Sequence, residues 1–283
     1  RQARTGAIAV LVGLAIVALL FVLAATDRIT IDAAAIGRHT VNITLAMVTA
    51  FFLFVFVAGG IDRQEKKRVG VIFILFLFAI VFWGAFEQAP TSLNLFARDF
   101  TDRQFGGFEM PATWFQSINS FFVITLAPVA AWVWLSLGRR NRDLSSPGKF
   151  AFGLAMAGVG FVLMIFAANK VVSGGVGTLV SPWWLVGSYF FQTVGELALS
   201  PVGLSSMTKL SPRKYVGQMM GIWFTASALG NLIGGLVGGH VDPEKLEQMP
   251  ELFTRTAGSL FIAAIVLALL VIPIRRMMST AKS

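Results

Sequence analysis

Two acidic side chains stand inside apolar stretches of this sequence: Glu87 in FWGAFEQAPTSLNL and Glu196 in FQTVGELALSPVG. An ionisable group at membrane depth costs about 2.5–3.5 kcal/mol on insertion scales, so it is rarely idle. Gln192, Glu196 and Ser200 are spaced four apart, which puts them on one face of a helix. Pro201 follows and lacks the N–H that the carbonyl of Leu197 would bond. A polar stripe beside a broken turn is expected to form the wall of a cavity. Trp83, Glu87 and Thr91 repeat the spacing, and Pro90 disturbs the turn around Glu87. The competing reading of Glu87 is an interfacial acid or a structural ion pair with Arg98 or Arg103.

Other polar groups accompany these acids. Gln116 and Asn119, three apart, present amides to one face, for a peptide-like solute or for a neighbouring helix. Trp223, Ser227 and Asn231 form a polar-aromatic stripe in which Trp223 is the residue expected to touch a ligand. Gly217 and Gly221, and again Gly230, Gly234 and Gly238, have the GxxxG spacing that lets helix backbones approach. Trp132 and Trp134 are expected in an interfacial belt.

The chemistry available to this set is narrow. No Ser/His/Asp set, HExxH or GxxxxGK[ST] pattern is present, which argues against an enzyme and against ATP as the driving force. With no cysteine, and with His39 and His240 at separate span ends, no metal site and no cofactor are expected. Buried carboxylates that take up and release protons suit a proton-coupled carrier. Burial favours a protonated carboxyl and a nearby cation favours the ionised one, so a solute amine can exchange with a proton at Glu196.

The elements that must position these groups are membrane helices. The 283 residues are 56% hydrophobic and 13% charged, with a mean hydropathy of +0.75. That composition predicts an all-α polytopic membrane protein. Eight stretches are long enough to span a hydrocarbon core of about 30 Å: 6–26, 41–60, 69–97, 111–137, 150–169, 182–208, 215–239 and 253–274. The first two lack acids, bases and amides within their apolar runs, apart from Asn42 at an edge, and are expected to face lipid. The net charge of +9 is scattered through short loops, so nucleic acid is not the expected partner. Sixteen basic residues fall on one set of loops and ends and seven on the other, which puts both ends of the chain in the cytoplasm. The chain starts at Arg1 and is expected to begin mid-protein.

Four segments carry a resemblance: FWGAFEQAPTSLNLFARDFTDR, PATWFQSINSFFVITLAPVAAWVW, FQTVGELALSPVGLSSMTKLSP and GQMMGIWFTASALGNLIGGLVGG. Together they resemble the C-terminal half of the proton-dependent oligopeptide transporter (POT, or PTR) family of the major facilitator superfamily. The resemblance implies a C-terminal six-helix bundle, helices seven to twelve, over 69–283, preceded over 1–68 by two extra inter-bundle helices. The family's ExxERFxYY motif and its fourth-helix lysine have no counterpart here, so the N-terminal bundle is expected to be absent. The implied function is symport of di- and tripeptides with protons across the bilayer of the bacterial inner membrane. Glu196 then meets the peptide amino terminus and takes part in coupling, and Ser200 lines the pocket. Glu87 serves proton coupling and the outer gate, Trp83 and Trp223 are pocket walls, and Asn119, with Gln116, bonds the peptide backbone. Two alternatives stay open: a carrier of another small solute such as nitrate, and a peptide-sensing membrane module.

Overall fold

In lipid, backbone N–H and C=O groups must bond within their own segment, and long apolar runs therefore become helices. The computed structural model describes residues 32–238 and 248–279; the expected first span, 6–26, lies outside them. The elements are α1 (Ala33–Val57), α2 (Arg63–Phe86), a π-helical turn (Ala89–Leu93) and α3 (Asn94–Phe100). Then come β1 (Gln104–Phe105), β2 (Phe108–Glu109), α4 (Trp114–Arg139) and α5 (Ser146–Gly174). The chain continues as α6 (Trp183–Leu210), a 3-10 turn (Arg213–Tyr215), α7 (Val216–Gly238) and α8 (Gln248–Ser279).

Residues up to Thr40 form one unit and those from Val41 a second. In the first, the Asp32 carboxylate accepts from the Ala35 N–H at 2.9 Å and lies 3.8 Å from Arg38. In the second, α2 opens on a capping box. Asp62 accepts from the Glu65 N–H at 2.7 Å while Glu65 accepts from the Asp62 N–H at 3.1 Å. The bundle is built by α5 lying against α6 and α8, α2 against α7 and α8, and α4 against α6. Phe76, Phe82, Phe96, Phe150, Phe161 and Phe253 fill its core. From Val41 onward α1 is a peripheral helix. It touches the bundle through Phe52 on Phe73, centroids 5.0 Å apart, and leaves Met47, Leu53, Phe54 and Val57 exposed. That is the lipid-facing character its sequence predicts.

Six helical segments among the described residues are long and apolar enough to cross a membrane. The helix α6 is not one of them. At 28 residues it is about 42 Å long, but Gln192, Thr193, Glu196 and its serines lower its hydropathy. The least membrane-like long helix is thus the one that carries the central acid. The helices also outrun the apolar stretches. The span expected at 41–60 begins at Ala33, and the one expected at 253–274 runs from Gln248 to Ser279. Polar ends such as Glu251, Arg275 and Arg276 continue the helix beyond the hydrocarbon layer.

Two local expectations need correction. Pro201 does not break α6, which runs through it from Trp183 to Leu210; one missing N–H removes one bond and leaves the flanking turns intact. Trp132 is exposed as a belt residue would be, but Trp134 is packed. Its ring meets Phe152 edge-on at 6.2 Å and lies 4.7 Å from the Lys149 ammonium. The loop between α3 and α4 holds a two-stranded hairpin closed by Gly106 and Gly107, both at positive φ. Gly-Gly between strands is a turn signal in the sequence, and Arg103 pins this loop through Glu109 at 2.6 Å.

Candidate functional site

The centre of the site is a contact between α4 and α6. Asn119 donates from Nδ2 to Thr193 Oγ1 at 2.9 Å and to Glu196 Oε2 at 3.3 Å. Thr193 is fully buried and donates its own hydroxyl to the Tyr189 carbonyl at 2.7 Å. With that donor spent, its oxygen lone pairs face the Asn119 amide, and the amide is held where it reaches the carboxylate. Glu196 itself is only partly buried. One of its oxygens is engaged by an amide, and no cation pairs with it among the described residues. Thr193 is the member of this set that the sequence reading missed. Its signal was the i, i+3 spacing to Glu196, obscured because a threonine in an apolar helix commonly bonds its own backbone.

The opening stripe divides. Gln192 turns into the α5–α6 seam, 1% exposed, donating to Ser188 Oγ at 2.9 Å. Gly160 of α5 makes room for it: a Cβ there would lie 3.1 Å from Gln192 Cγ. Gln192 is therefore packing and not a cavity wall. Ser200, one turn beyond Glu196, keeps a buried Oγ without a hydrogen-bond partner among the described residues.

The second acid sits where α2 ends. Glu87 is the C-cap, its N–H bonded to the Trp83 carbonyl at 2.9 Å, and the π-helical turn containing Pro90 follows. Pro90 thus reshapes this turn as the sequence predicts. The ion pair with Arg98 or Arg103 is contradicted. Arg98 holds Asp99 at 2.7 and 2.9 Å and Arg103 holds Glu109, so neither is spent on Glu87. Glu87 pairs with no cation among the described residues. Beside it Gln88 is buried and tied to Thr256 at 2.8 Å and Ser92 at 3.0 Å, which locks the end of α2 to α8.

The aromatic and amide candidates take different places. Trp83 is partly buried, edge-on to Phe82 and Phe86, and its Nε1 has no partner among the described residues. Trp223 is 4% exposed, wedged over Gly203 and edge-on to Phe150 at 6.1 Å. A tryptophan enclosed in this way packs α7 on α6 and α5 and offers no open wall, so the structure sets it apart from the other candidates. Gln116 lies one turn before Asn119 on α4, partly buried, and shares no bond with Glu196. Ser227 is partly buried and Asn231 is exposed, so that stripe also divides.

Glycines set how close α2 and α7 come. A Cβ at Gly234 would lie 2.6 Å from the Gly84 carbonyl oxygen, and one at Gly230 would lie 2.8 Å from the Gly84 nitrogen. The packing reading holds for these two residues. It fails for Gly217 and Gly221, where a Cβ would meet nothing within 4 Å.

The family model described as PTR2, POT family, matches residues 39–251 of this bundle. The chain belongs to the POT family. Among its POT relatives, it is 46% identical over 269 residues to Peptide transporter YePEPT of Yersinia enterocolitica, covering 95% of this chain and 52% of that one. It is 35% identical over 252 residues to Dipeptide and tripeptide permease B of the same species, covering 85% and 50%. Its fold is similar to a crystal structure of a peptide transporter POT in complex with sulfate, with TM-score 0.82, 31% identity and coverage of 98% and 54%. A mutant of a peptide transporter POT in complex with alafosfalin gives TM-score 0.80 at 30% identity, covering 99% and 54%. The chain spans about half the length of the curated relatives it matches. It is a multi-pass membrane chain of a family whose named relatives are transporters.

Proposed function

We propose that this chain supplies the C-terminal half of a proton-coupled carrier of di- and tripeptides. The observation that carries the reading is the Asn119–Glu196 contact between α4 and α6, with a second acid, Glu87, at the end of α2 free of Arg98 and Arg103. An acid bonded to an amide and paired with no cation among the described residues retains the choice between a proton and an arriving ammonium group. A peptide α-amine that enters beside Glu196 replaces a proton as the balancing charge, and its departure lets a proton return. Asn119 and Gln116 offer amides to the peptide backbone, Ser200 and Trp83 an unsatisfied hydroxyl and indole N–H, and Trp223 supports the wall from behind. Glu87 is the second proton site and the outer gate. The energy source is the proton gradient, with no bound cofactor.

The relatives' names support peptides as the solute, being a peptide transporter and a dipeptide and tripeptide permease. Alternating access needs two bundles rocking around a shared site. The reading therefore takes 69–283 as helices seven to twelve and 1–68 as two helices between bundles, with a second six-helix bundle completing the pocket. Both ends of this chain lie in the cytoplasm and the membrane is the bacterial inner membrane. The test is dipeptide uptake into proteoliposomes by the protein that carries this chain. An imposed inward proton gradient drives accumulation in the wild type, and Glu196→Gln and Glu87→Gln each reduce it to the level of empty vesicles. Wild-type accumulation in both variants would falsify the carboxylate-coupling reading.

A further inference from the structure

At the end of the bundle away from the hairpin loop, α5, α6 and α8 enclose a cavity of about 610 Å³ that the transport chemistry does not use. Its lining includes Asp143, Ser146, Lys149, Ser206, Lys209 and Arg275. Lys149 is occupied: Asp143 lies 2.9 Å from its ammonium, which also covers the Trp134 ring. Lys209 and Arg275 are exposed and have no acidic partner among the described residues. The cavity thus holds two uncompensated positive charges.

Two further features supply hydrogen-bond donors. The first turn of α5 enters the cavity at Ser146, and its N-cap, Ser145, makes no side-chain capping bond. Helix N-termini carry unpaired N–H groups and the positive end of the macrodipole, a combination that favours anions. Ser206 is 4% exposed, lines the same cavity, and makes no hydrogen bond among the described residues. Helical serines usually bond the carbonyl a turn earlier, so a serine that leaves that bond unmade keeps its hydroxyl proton for a group in the cavity. Apart from Asp143, which is paired with Lys149, these features favour an oxyanion. A peptide carboxylate is a poor match, because two free cations and two sources of donors exceed what two oxygens can use.

We propose that this cavity binds a phosphate group, carried by an anionic phospholipid of the adjacent leaflet or free in solution. The end in question bears the loop Arg139, Arg140 and Arg142 as well as the chain's α8 terminus with Arg276, so anionic headgroups are concentrated beside it. Basic pockets between membrane helices bind such headgroups.

The experiment is native mass spectrometry of the detergent-purified protein that carries this chain, titrated separately with phosphatidylglycerol, phosphatidylcholine and inorganic phosphate. The expected result is a one-to-one phosphatidylglycerol adduct. Lys209→Ala and Arg275→Ala each weaken it roughly fivefold, on the scale of one basic residue at a lipid surface. Arg275→Lys retains it, and Ser206→Ala weakens it while leaving the melting temperature in place. A phosphate adduct with the same dependence on Lys209 and Arg275, in place of the lipid adduct, supports the site and makes its ligand the free anion. Equal binding of phosphatidylcholine overturns the proposal. So does an equal loss in Lys66→Ala/Lys67→Ala, a pair exposed at the same end outside the cavity, because the effect would then be general surface charge. Absence of any adduct in the wild type also overturns it.

Discussion

Asn119 has two acceptors for one amide nitrogen, and the shorter bond goes to Thr193. The threonine therefore sets where the amide sits and so how well it reaches Glu196. Thr193→Val keeps the shape of the side chain and removes the oxygen. A neutral hydrogen bond is worth about 1 kcal/mol net, so peptide uptake is expected to fall roughly fivefold, with its pH profile displaced because the amide no longer favours the ionised acid. Asn119→Ala should displace the profile in the same direction, and the double variant should add little to either alone. Gln192→Leu serves as the contrast: it changes a packing residue, moves the melting temperature and leaves the pH profile in place. Uptake measured across external pH for the four variants decides this. Glu196 and Asn119 were both legible in the sequence because charge and amides are conspicuous in apolar helices. Thr193 shared a face with Glu196 by its i, i+3 spacing, but its role depends on α4 crossing α6 at one height, which that spacing does not encode. Gln192 misled for the same reason. Residues four apart differ by about 40° around the helix axis, and that offset was enough to aim it at α5.

At the scale of elements, the closeness of α2 and α7 sets where Glu87 sits. Gly84, Gly230 and Gly234 let these backbones meet, and Glu87 rests its Cβ where Gly234 has none. Gly234→Ala forces a methyl within 2.6 Å of a backbone oxygen. The helices must separate, at about 1–3 kcal/mol for overpacking, and the melting temperature in detergent should fall by several degrees. Gly221→Ala has open space around it and gains helix propensity worth up to about 1 kcal/mol, so it should melt at or above the wild type. Equal melting of the two variants would show that the seam relaxes without cost. The GxxxG spacing is identical in both places, so sequence periodicity had no means of separating them. The α5–α6 seam makes the converse point. Gly153 and Gly195 approach so closely that a Cβ on either would meet the other's carbonyl at 2.7 and 2.5 Å, yet they lie on different helices and form no motif. Small residues announce themselves only when both fall on one helix.

For the whole molecule, the distribution of charge is the feature that fixes its place in the bilayer. The α2 start, the α4–α5 loop, the α6–α7 connection and the α8 end carry most of the lysines and arginines. The hairpin loop and the α5–α6 loop lie at the other end of the same helices and are poor in them. The order of spans and this alternation were readable from the sequence because apolar length and loop charge are local quantities. The lengths of the helices beyond the apolar core were not, since capping and interfacial residues extend them. Positive-inside asymmetry predicts that the basic end lies in the cytoplasm. The chain contains no cysteine, so single cysteines can report on this directly. Val176, fully exposed between α5 and α6, and Arg142, exposed between α4 and α5, mark opposite ends of α5. In intact cells from which any outer membrane has been removed, a membrane-impermeant maleimide should modify Val176→Cys and spare Arg142→Cys. Lysis should then expose Arg142→Cys to the reagent. The reverse pattern would place the basic end outside, and the proposed phosphate cavity, the proposed gate at Glu87 and the proposed direction of proton flow would all have to be assigned to opposite sides.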